Sequence, residues 1–246
     1  KKEPPKEGEK RPPETPKPEP PKREEGKEPQ KPPEFVPPKI NETLRPLMEL
    51  IEKKEGRFAL IEIDSASDFV HVEDVLRDYD IAYGLWLENT HMSSSYRPGR
   101  DWNLAAEAIG KAKLPTVLKP VLNWESFTRI RYNLAKLLLD AGAQVAFQPP
   151  SESPTGFETT LIGLAEVVKA GLSRKQALEA VTVAPAKLLG VGERIGTIAE
   201  GRDADLVFLD GDPFDPLARV VRVMIEGHVV YEWKAADPQC GGAAPK

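Results

Sequence analysis

The chain has 246 residues and a formal net charge of −5. That length bounds it to one or two domains, and the mild acidity leaves no footprint for nucleic acid or an anionic membrane surface. No apolar run approaches the roughly 18–20 residues of a membrane span, and the single cysteine, Cys240, excludes an internal disulfide and a cysteine-built zinc site. No signal peptide is visible, but a chain opening on Lys1 says nothing of a leader upstream. The expectation is a soluble protein whose compartment stays open.

Residues 1–39 are almost entirely Pro, Lys and Glu. Such a tract buries too little apolar surface to offset the entropy of ordering, so it reads as an extended linker or tether, partly polyproline II. From Ile40 onward strand and helix signals alternate. Thr43 is placed to cap a helix through Leu44, Leu47, Met48 and Ile51, ended by Gly56. Phe58 to Ile63 reads as a buried strand, followed from Ser67 by a helix with Phe69, Val72, Val75 and Leu76 inward. Ile81 to Leu87 is a second strand. Asp101 opens a helix through Leu104, Ala105, Ala108 and Ile109, and Leu114 to Leu118 is a third strand. Phe127, Ile130, Leu134, Leu137 and Leu138 mark a long amphipathic helix closed by Gly142, and Ala143 to Phe147 is a fourth strand.

Four strand-then-helix units call for an α/β fold with parallel strands. Periodicity alone leaves a half barrel and an open doubly wound sheet equally open. Beyond Phe147 the pattern predicts a helix from Leu161 to Ala170, then a capping-box start at Ser173 with Gln176. Pro185 is expected to break that second helix. Short strands follow at Thr197-Ile198, Ala204 to Leu209, Val220 to Ile225 and Val229 to Tyr231. Glu226-Gly227 makes a tight turn between the last two.

One stretch carries more than periodicity. It reads Gly171-Leu172-Ser173, then Gln176-Ala177-Leu178, then Val181-Thr182-Val183-Ala184-Pro185-Ala186-Lys187-Leu188-Leu189-Gly190. Ile195-Gly196-Thr197-Ile198 and Glu200-Gly201-Arg202-Asp203-Ala204-Asp205-Leu206 follow, then Gly211-Asp212-Pro213 and Val223-Met224-Ile225-Glu226-Gly227. In this order and spacing the motifs resemble the C-terminal region of the amidohydrolase superfamily, imidazolonepropionase-like members above all. The residues themselves read as structural: turns at Gly190 and Gly201, and Asp203 and Asp205 bracketing a strand entry.

The resemblance implies the second half of a (β/α)8 TIM-type barrel followed by the C-terminal strands of a small β-sandwich. The barrel part would occupy residues 40–190, the sandwich strands 191–233 and a flexible tail 234–246. It makes the four strands the barrel's fifth to eighth. It also implies hydrolysis of non-peptide C–N bonds, such as cyclic amides, by water activated on a zinc-class divalent metal. In that family the ligands are a His-x-His pair on the first strand, a Lys or Glu on the fourth, single histidines on the fifth and sixth, and an Asp on the eighth that is also general base.

Here the first four strands have no counterpart, and the later positions depart from the pattern. After the fifth strand stands Asp64, which offers oxygen to a hard cation or caps the next turn. His91 follows the sixth, a metal ligand or a plain loop histidine. After the eighth comes Gln148, which cannot act as a base. Glu152, ahead of Ser153-Pro154, is the remaining candidate for the catalytic carboxylate. His71 reads as solvated, and His228 falls in the terminal hairpin.

Two functions therefore compete. One is the C-terminal part of a metal-dependent amidohydrolase acting on a small molecule. The other is a catalytically degenerate scaffold or interaction subunit. A free-standing half barrel is disfavoured because it leaves strand edges open. Both functions require a companion chain or segment supplying the N-terminal half of the barrel and sandwich.

Overall fold

The computed structural model describes residues 39, 41–53, 56–89, 101–215 and 217–234. The chain divides into two units, Lys1–Asn41 and Glu42–Lys246, and the architecture below is that of the second. A 3-10 turn, Glu42–Leu44, leads into α1, Arg45–Ile51, β1, Ala59–Ile63, α2, Ala66–Leu76, and β2, Tyr83–Leu87. Then come α3, Trp102–Lys111, β3, Pro115–Leu118, the short strands β4, Asn123–Trp124, and β5, Arg131–Tyr132, α4, Leu134–Ala141, and β6, Gln144–Phe147. Three helices follow: α5, Pro154–Lys169, α6, Arg174–Val181, and α7, Val183–Leu188. The last elements are β7, Leu206–Leu209, β8, Val220–Ile225, and β9, His228–Glu232.

Strands β1, β2, β3 and β6 form one parallel sheet in that order, with β1 and β6 outermost. Alternate residues of a strand face opposite sides. Ile63, Leu85, Leu87, Leu118 and Phe147 share a single core with Trp102 and Ile109 of α3 and Leu134 and Leu138 of α4. Leu85, Leu87, Trp102, Ile109, Leu118, Leu134 and Leu138 are fully buried. Each such side chain contributes about 1.5–3 kcal/mol relative to exposure, so this layer holds the sheet against its helices. The opposite face, with Leu60, Glu62, Trp86, Val117 and Ala146, is less evenly covered: Leu60 and Glu62 on β1 are exposed, whereas Val117 and Ala146 are buried. Among the described residues no helix is long and apolar enough to cross a membrane.

The α/β class with a parallel sheet and the four predicted strands are found, each shortened at its start. The capping box of α6 is present, Ser173 Oγ accepting from Gln176 N at 3.2 Å and Gln176 Oε1 from Ser173 N at 3.2 Å. The Glu226-Gly227 turn is also present, with φ of 49° and 78°. That pair of positive values belongs to a type I′ hairpin, whose twist matches the strands it joins.

Several expectations are corrected. The long helix from Phe127 does not form. Residues 123–132 make the β4–β5 hairpin instead, because Thr128 turns the chain: its Oγ1 donates to Glu125 O at 3.0 Å and accepts from Ile130 N at 3.1 Å. Such side-chain bonds compete with a helical ladder. The helix starts only at Asn133, whose Oδ1 accepts from Lys136 N at 3.1 Å and whose Nδ2 donates to Val167 O at 2.8 Å.

The break after α6 falls at Thr182, not Pro185. Thr182 leaves the helical region at φ −122° and ψ −73°, and Pro185 then sits in the first turn of α7, where a missing N–H costs nothing. The helix after β6 begins at Pro154, seven residues early, because Ser153 caps it through Gly156 N at 3.2 Å. Leu44, not Thr43, precedes α1, without a side-chain cap bond. Val75 points outward, 64% exposed. Thr197-Ile198 pairs with no strand among the described residues. Asp203 N bonds Arg194 O at 2.9 Å and closes 194–203 as a loop.

The last three strands form a separate antiparallel sheet in the order β7–β8–β9. Its terminal turn is seated by Asp205, whose Oδ1 accepts from Glu226 N at 2.8 Å, so Asp205 is a turn residue as its sequence context predicts.

Candidate functional site

In a parallel sheet all strands end on one side, and in α/β folds that C-terminal rim is where chemistry is placed. Here Asp64 follows β1, Glu88 and Asn89 follow β2, Lys119 follows β3 and Gln148 follows β6. They form one row. Glu88 N bonds Ile63 O at 3.3 Å and Gln148 N bonds Leu118 O at 3.0 Å, extending the ladders by a step. Glu88 and Lys119 stand two residues beyond the paired Trp86 and Val117.

The centre of the row is a bonded network. Lys119 Nζ donates to both carboxylate oxygens of Glu88, at 3.0 and 2.8 Å. The two side chains are only 13% and 23% exposed. Asn89, 1% exposed, holds the Lys119 backbone from both sides: its Oδ1 accepts from Lys119 N at 2.9 Å and its Nδ2 donates to Lys119 O at 3.0 Å. Asn123, 3% exposed, donates from Nδ2 to Asn89 O at 3.0 Å and brings β4 into the same cluster. Trp86 Nε1 and Gln148 Nε2 are buried donors without a hydrogen-bond partner among the described residues.

At the row's β1 end the chain turns at once into α2. Asp68 Oδ2 accepts from Asp64 N at 3.0 Å and Ser65 N at 2.9 Å, while Ser65 Oγ accepts from Asp68 N. Burial pushes the Asp68 carboxyl up, but bonds from Ser65 and from the Asp64 and Ser65 amides, with the His71 charge, hold it below its ordinary value. A depressed folded value means stability that is complete above the unfolded carboxylate value of about 4. That contribution is lost as pH falls through the lower, folded value. Urea unfolding followed from pH 6 downward is expected to show this loss in the wild type, and a smaller pH slope in Asp68→Asn.

Of the three residues singled out from the sequence, two are described, and they stand at opposite edges of the sheet. Asp64 is exposed after β1. Glu152 is exposed in the loop after β6, beside the helix cap Ser153. Three strand spacings, about 14 Å, separate β1 from β6. His91 lies outside the described residues. His71 and His228 are exposed, on α2 and at the start of β9. Among the described residues no three His, Cys, Asp or Glu side chains gather to hold a metal ion. The donor chemistry agrees. Glu88 is engaged by an ammonium, Gln148 offers only an amide, and the residue beside them is a cation. These groups do not fit a zinc-class centre. The sequence reading overlooked Glu88, Asn89, Lys119 and Asn123. The available signal was a Glu and a Lys falling at the same step past two neighbouring strands.

Comparison with known proteins agrees with this architecture. The amidohydrolase family model matches residues 63–234, and the chain belongs to that family. Within it the chain is imidazolonepropionase-like. It is 30% identical over 135 residues to an imidazolonepropionase of Kosmotoga olearia, covering 51% of this chain and 32% of that protein. A second, of Thermoplasma volcanium, is 31% identical over 109 residues, covering 41% and 27%. The crystal structure of an amidohydrolase from Thermotoga maritima matches with a TM-score of 0.64 over 81% of this chain and 49% of that one, at 24% identity, a likeness of fold. The chain spans about a third or less of the length of these curated relatives. Members of the family are generally metal-dependent hydrolases.

Proposed function

We propose that this chain is the C-terminal part of an amidohydrolase fold whose own catalytic rim is degenerate, and that it serves as a scaffold or interaction half. In this reading the sheet β1–β2–β3–β6 is the second half of an eight-stranded barrel. Strands β7–β9 belong to a small sandwich, and the Pro/Lys/Glu tract tethers the folded part. The observation that carries the reading is the row of strand ends. Among the described residues it holds Asp64, Glu88 locked to Lys119, and Gln148, where hydrolysis by the family's chemistry needs histidines and a free carboxylate.

The need for a companion rests on surface left uncovered. Val207, Ile225, Val229 and Val230 on β7–β9 are 62%, 51%, 52% and 57% exposed. Outer strands β1 and β6 offer backbone groups for pairing. A segment supplying the N-terminal half of barrel and sandwich covers both.

A second reading is favoured by the imidazolonepropionase relatives: hydrolysis of a cyclic amide at a zinc-class centre completed by the companion, with Asp64 and His91 as ligands and Glu152 as base. Native mass spectrometry of the protein purified from its source separates the two. The expected result is a complex with a companion polypeptide and no bound metal. One or two zinc-class ions per pair, with cyclic-amide turnover lost in Glu152→Gln and His91→Ala, establishes the second reading instead. A compact monomer in sedimentation velocity overturns the need for a companion in both.

A further inference from the structure

We infer that the cavity at the N-terminal ends of the parallel strands is a socket for the companion, filled in the assembly by a bulky apolar side chain that the companion inserts together with a carboxylate of its own. The inference rests on the half-barrel reading and goes beyond it, since it names where the companion is anchored and by what chemistry.

The whole sheet builds this cavity. Phe58, Ala82, Pro115 and Gln144, at or just before the starts of β1, β2, β3 and β6, form one wall. The other wall is α7, with Ala184, Lys187 and Leu188. The space between them is about 400 Å³. Folded interiors leave few voids larger than a water molecule, and an apolar void of about 150 Å³ already holds a benzene ring. This one has room for a bulky side chain. It is open to solvent, since Phe58 and Leu189 in its lining are both exposed. Gly84 shapes the wall: a Cβ there would fall 2.8 Å from Phe58 Cζ and 2.6 Å from Pro115 O, so only glycine lets the ring lie where it does.

The cavity's place argues for its occupant. Side chains alternate along a strand, so Phe58 shares a face with Leu60, Pro115 with Val117 and Gln144 with Ala146. That is the less evenly covered face of the sheet, where Leu60 is exposed. In the half-barrel reading it turns toward the companion's strands, whose own starts then stand opposite the cavity. Charge supplies the second part. Of the two cations in the lining, Arg57 is engaged by Glu49. Lys187 is exposed and has no hydrogen-bond or ion-pair partner among the described residues. A companion that covers this ammonium has to meet it with a carboxylate, because a charge buried without a partner is costly.

The test uses the complex purified from its source, with variants of this chain expressed there. Ala184→Phe fills the cavity from α7 and is expected to weaken the complex about tenfold or more in sedimentation velocity. Lys187→Glu should weaken it about tenfold, and Lys187→Arg should stay within about twofold of wild type. Acetylation of the wild-type complex by an amine-reactive ester, read by peptide mass spectrometry, gives a measure that needs no variant. Lys187 is expected to be protected relative to Lys175, which is exposed on α6. If Ala184→Phe does not fold, Lys187→Glu and the acetylation carry the test.

A companion held as tightly by Lys187→Glu as by wild type overturns the inference, and so does a Lys187 that acetylates as fast as Lys175 within the complex. Native mass spectrometry adds two further overturning results: a partner mass equal to this chain's own makes the occupant a second copy, and a small molecule retained by wild type but lost in Ala184→Phe makes the cavity a ligand site. In each of these cases a companion half can still be present, so the half-barrel reading survives. If no companion accompanies the chain, that reading fails and the socket falls with it.

Discussion

Gly110→Ala is expected to lower the free energy of unfolding by about 3 kcal/mol, the upper end of the usual cost of overpacking. Helix propensity alone argues for the opposite sign, since glycine inside a helix is about 1 kcal/mol worse than alanine. The contact decides. A Cβ on Gly110 falls 2.3 Å from Ala141 Cβ, 2.5 Å from Ala141 O and 2.6 Å from Ala141 C. Two of these are backbone atoms that cannot swing aside. Ala141 is also the last residue of α4, held by Gly142 in the left-handed region at φ 102°, whose N–H bonds back into the helix. Neither side of the α3–α4 contact can retreat without disturbing the core beneath it, where Ile109, Leu134 and Leu138 are fully buried. Urea unfolding of Gly110→Ala beside the exposed control Ala108→Gly checks this. The control should lose about 1 kcal/mol from propensity alone. A Gly110→Ala midpoint at or above wild type means that the two helices lie farther apart than described.

What the sequence made legible follows from how local each signal is. Runs such as Gly84 to Leu87 and Val145 to Phe147 are buried or half-buried, so continuous apolarity marked them as strands, and the capping box at Ser173 needs only four residues to read. The β4–β5 hairpin was hidden by coincidence. Phe127, Ile130, Leu134 and Leu137 repeat at helical spacing, yet Phe127 is 92% exposed with φ 60° at the turn. The Thr128 hydroxyl and the backbone bonds across the turn redirect the chain, and no periodicity reports bonds of that kind. The break at Thr182 was obscured because Pro185, a stronger breaker by residue type, lies three residues on. It is harmless there, its nitrogen falling among the unpaired groups of a helix start.

The rim was legible only as a departure. The residues offered Asp64, His91 and Glu152 in place of the pattern the resemblance implies, and Gln148 stood where an aspartate was expected. What occupies the rim was not legible, because a lysine after a strand reads by itself as solvated. Lys119 becomes informative only when the register places it beside Glu88, 31 residues away, and Asn89 only when its partners in the next loop are known. Long-range pairing of polar groups leaves no periodic trace. This is why the fold could be read further than the site.

The largest effect at that rim is expected from Lys119→Met, which should lose about 3 kcal/mol because it removes the ammonium that meets both Glu88 oxygens in a partly dry setting. Glu88→Gln should cost about 2 kcal/mol, since an amide still bonds the ammonium but no longer balances its charge. The double variant Lys119→Met/Glu88→Leu removes both charges and fills the space with apolar atoms of similar size. It is expected to return within about 1 kcal/mol of wild type, as replaced buried pairs do. A double-mutant cycle by urea unfolding gives the coupling directly. An exposed ion pair behaves otherwise: each single loss stays below about 1 kcal/mol and shrinks further in salt. Arg222–Glu232, with side chains 47% and 50% exposed, is the internal comparison. If Lys119–Glu88 couples no more strongly than that pair, the rim is a solvated surface and its asparagine frame orders nothing. A coupling several times larger and little changed by salt makes it a desolvated joint between β2 and β3. In that case the strand ends are held together by the chain's own charge.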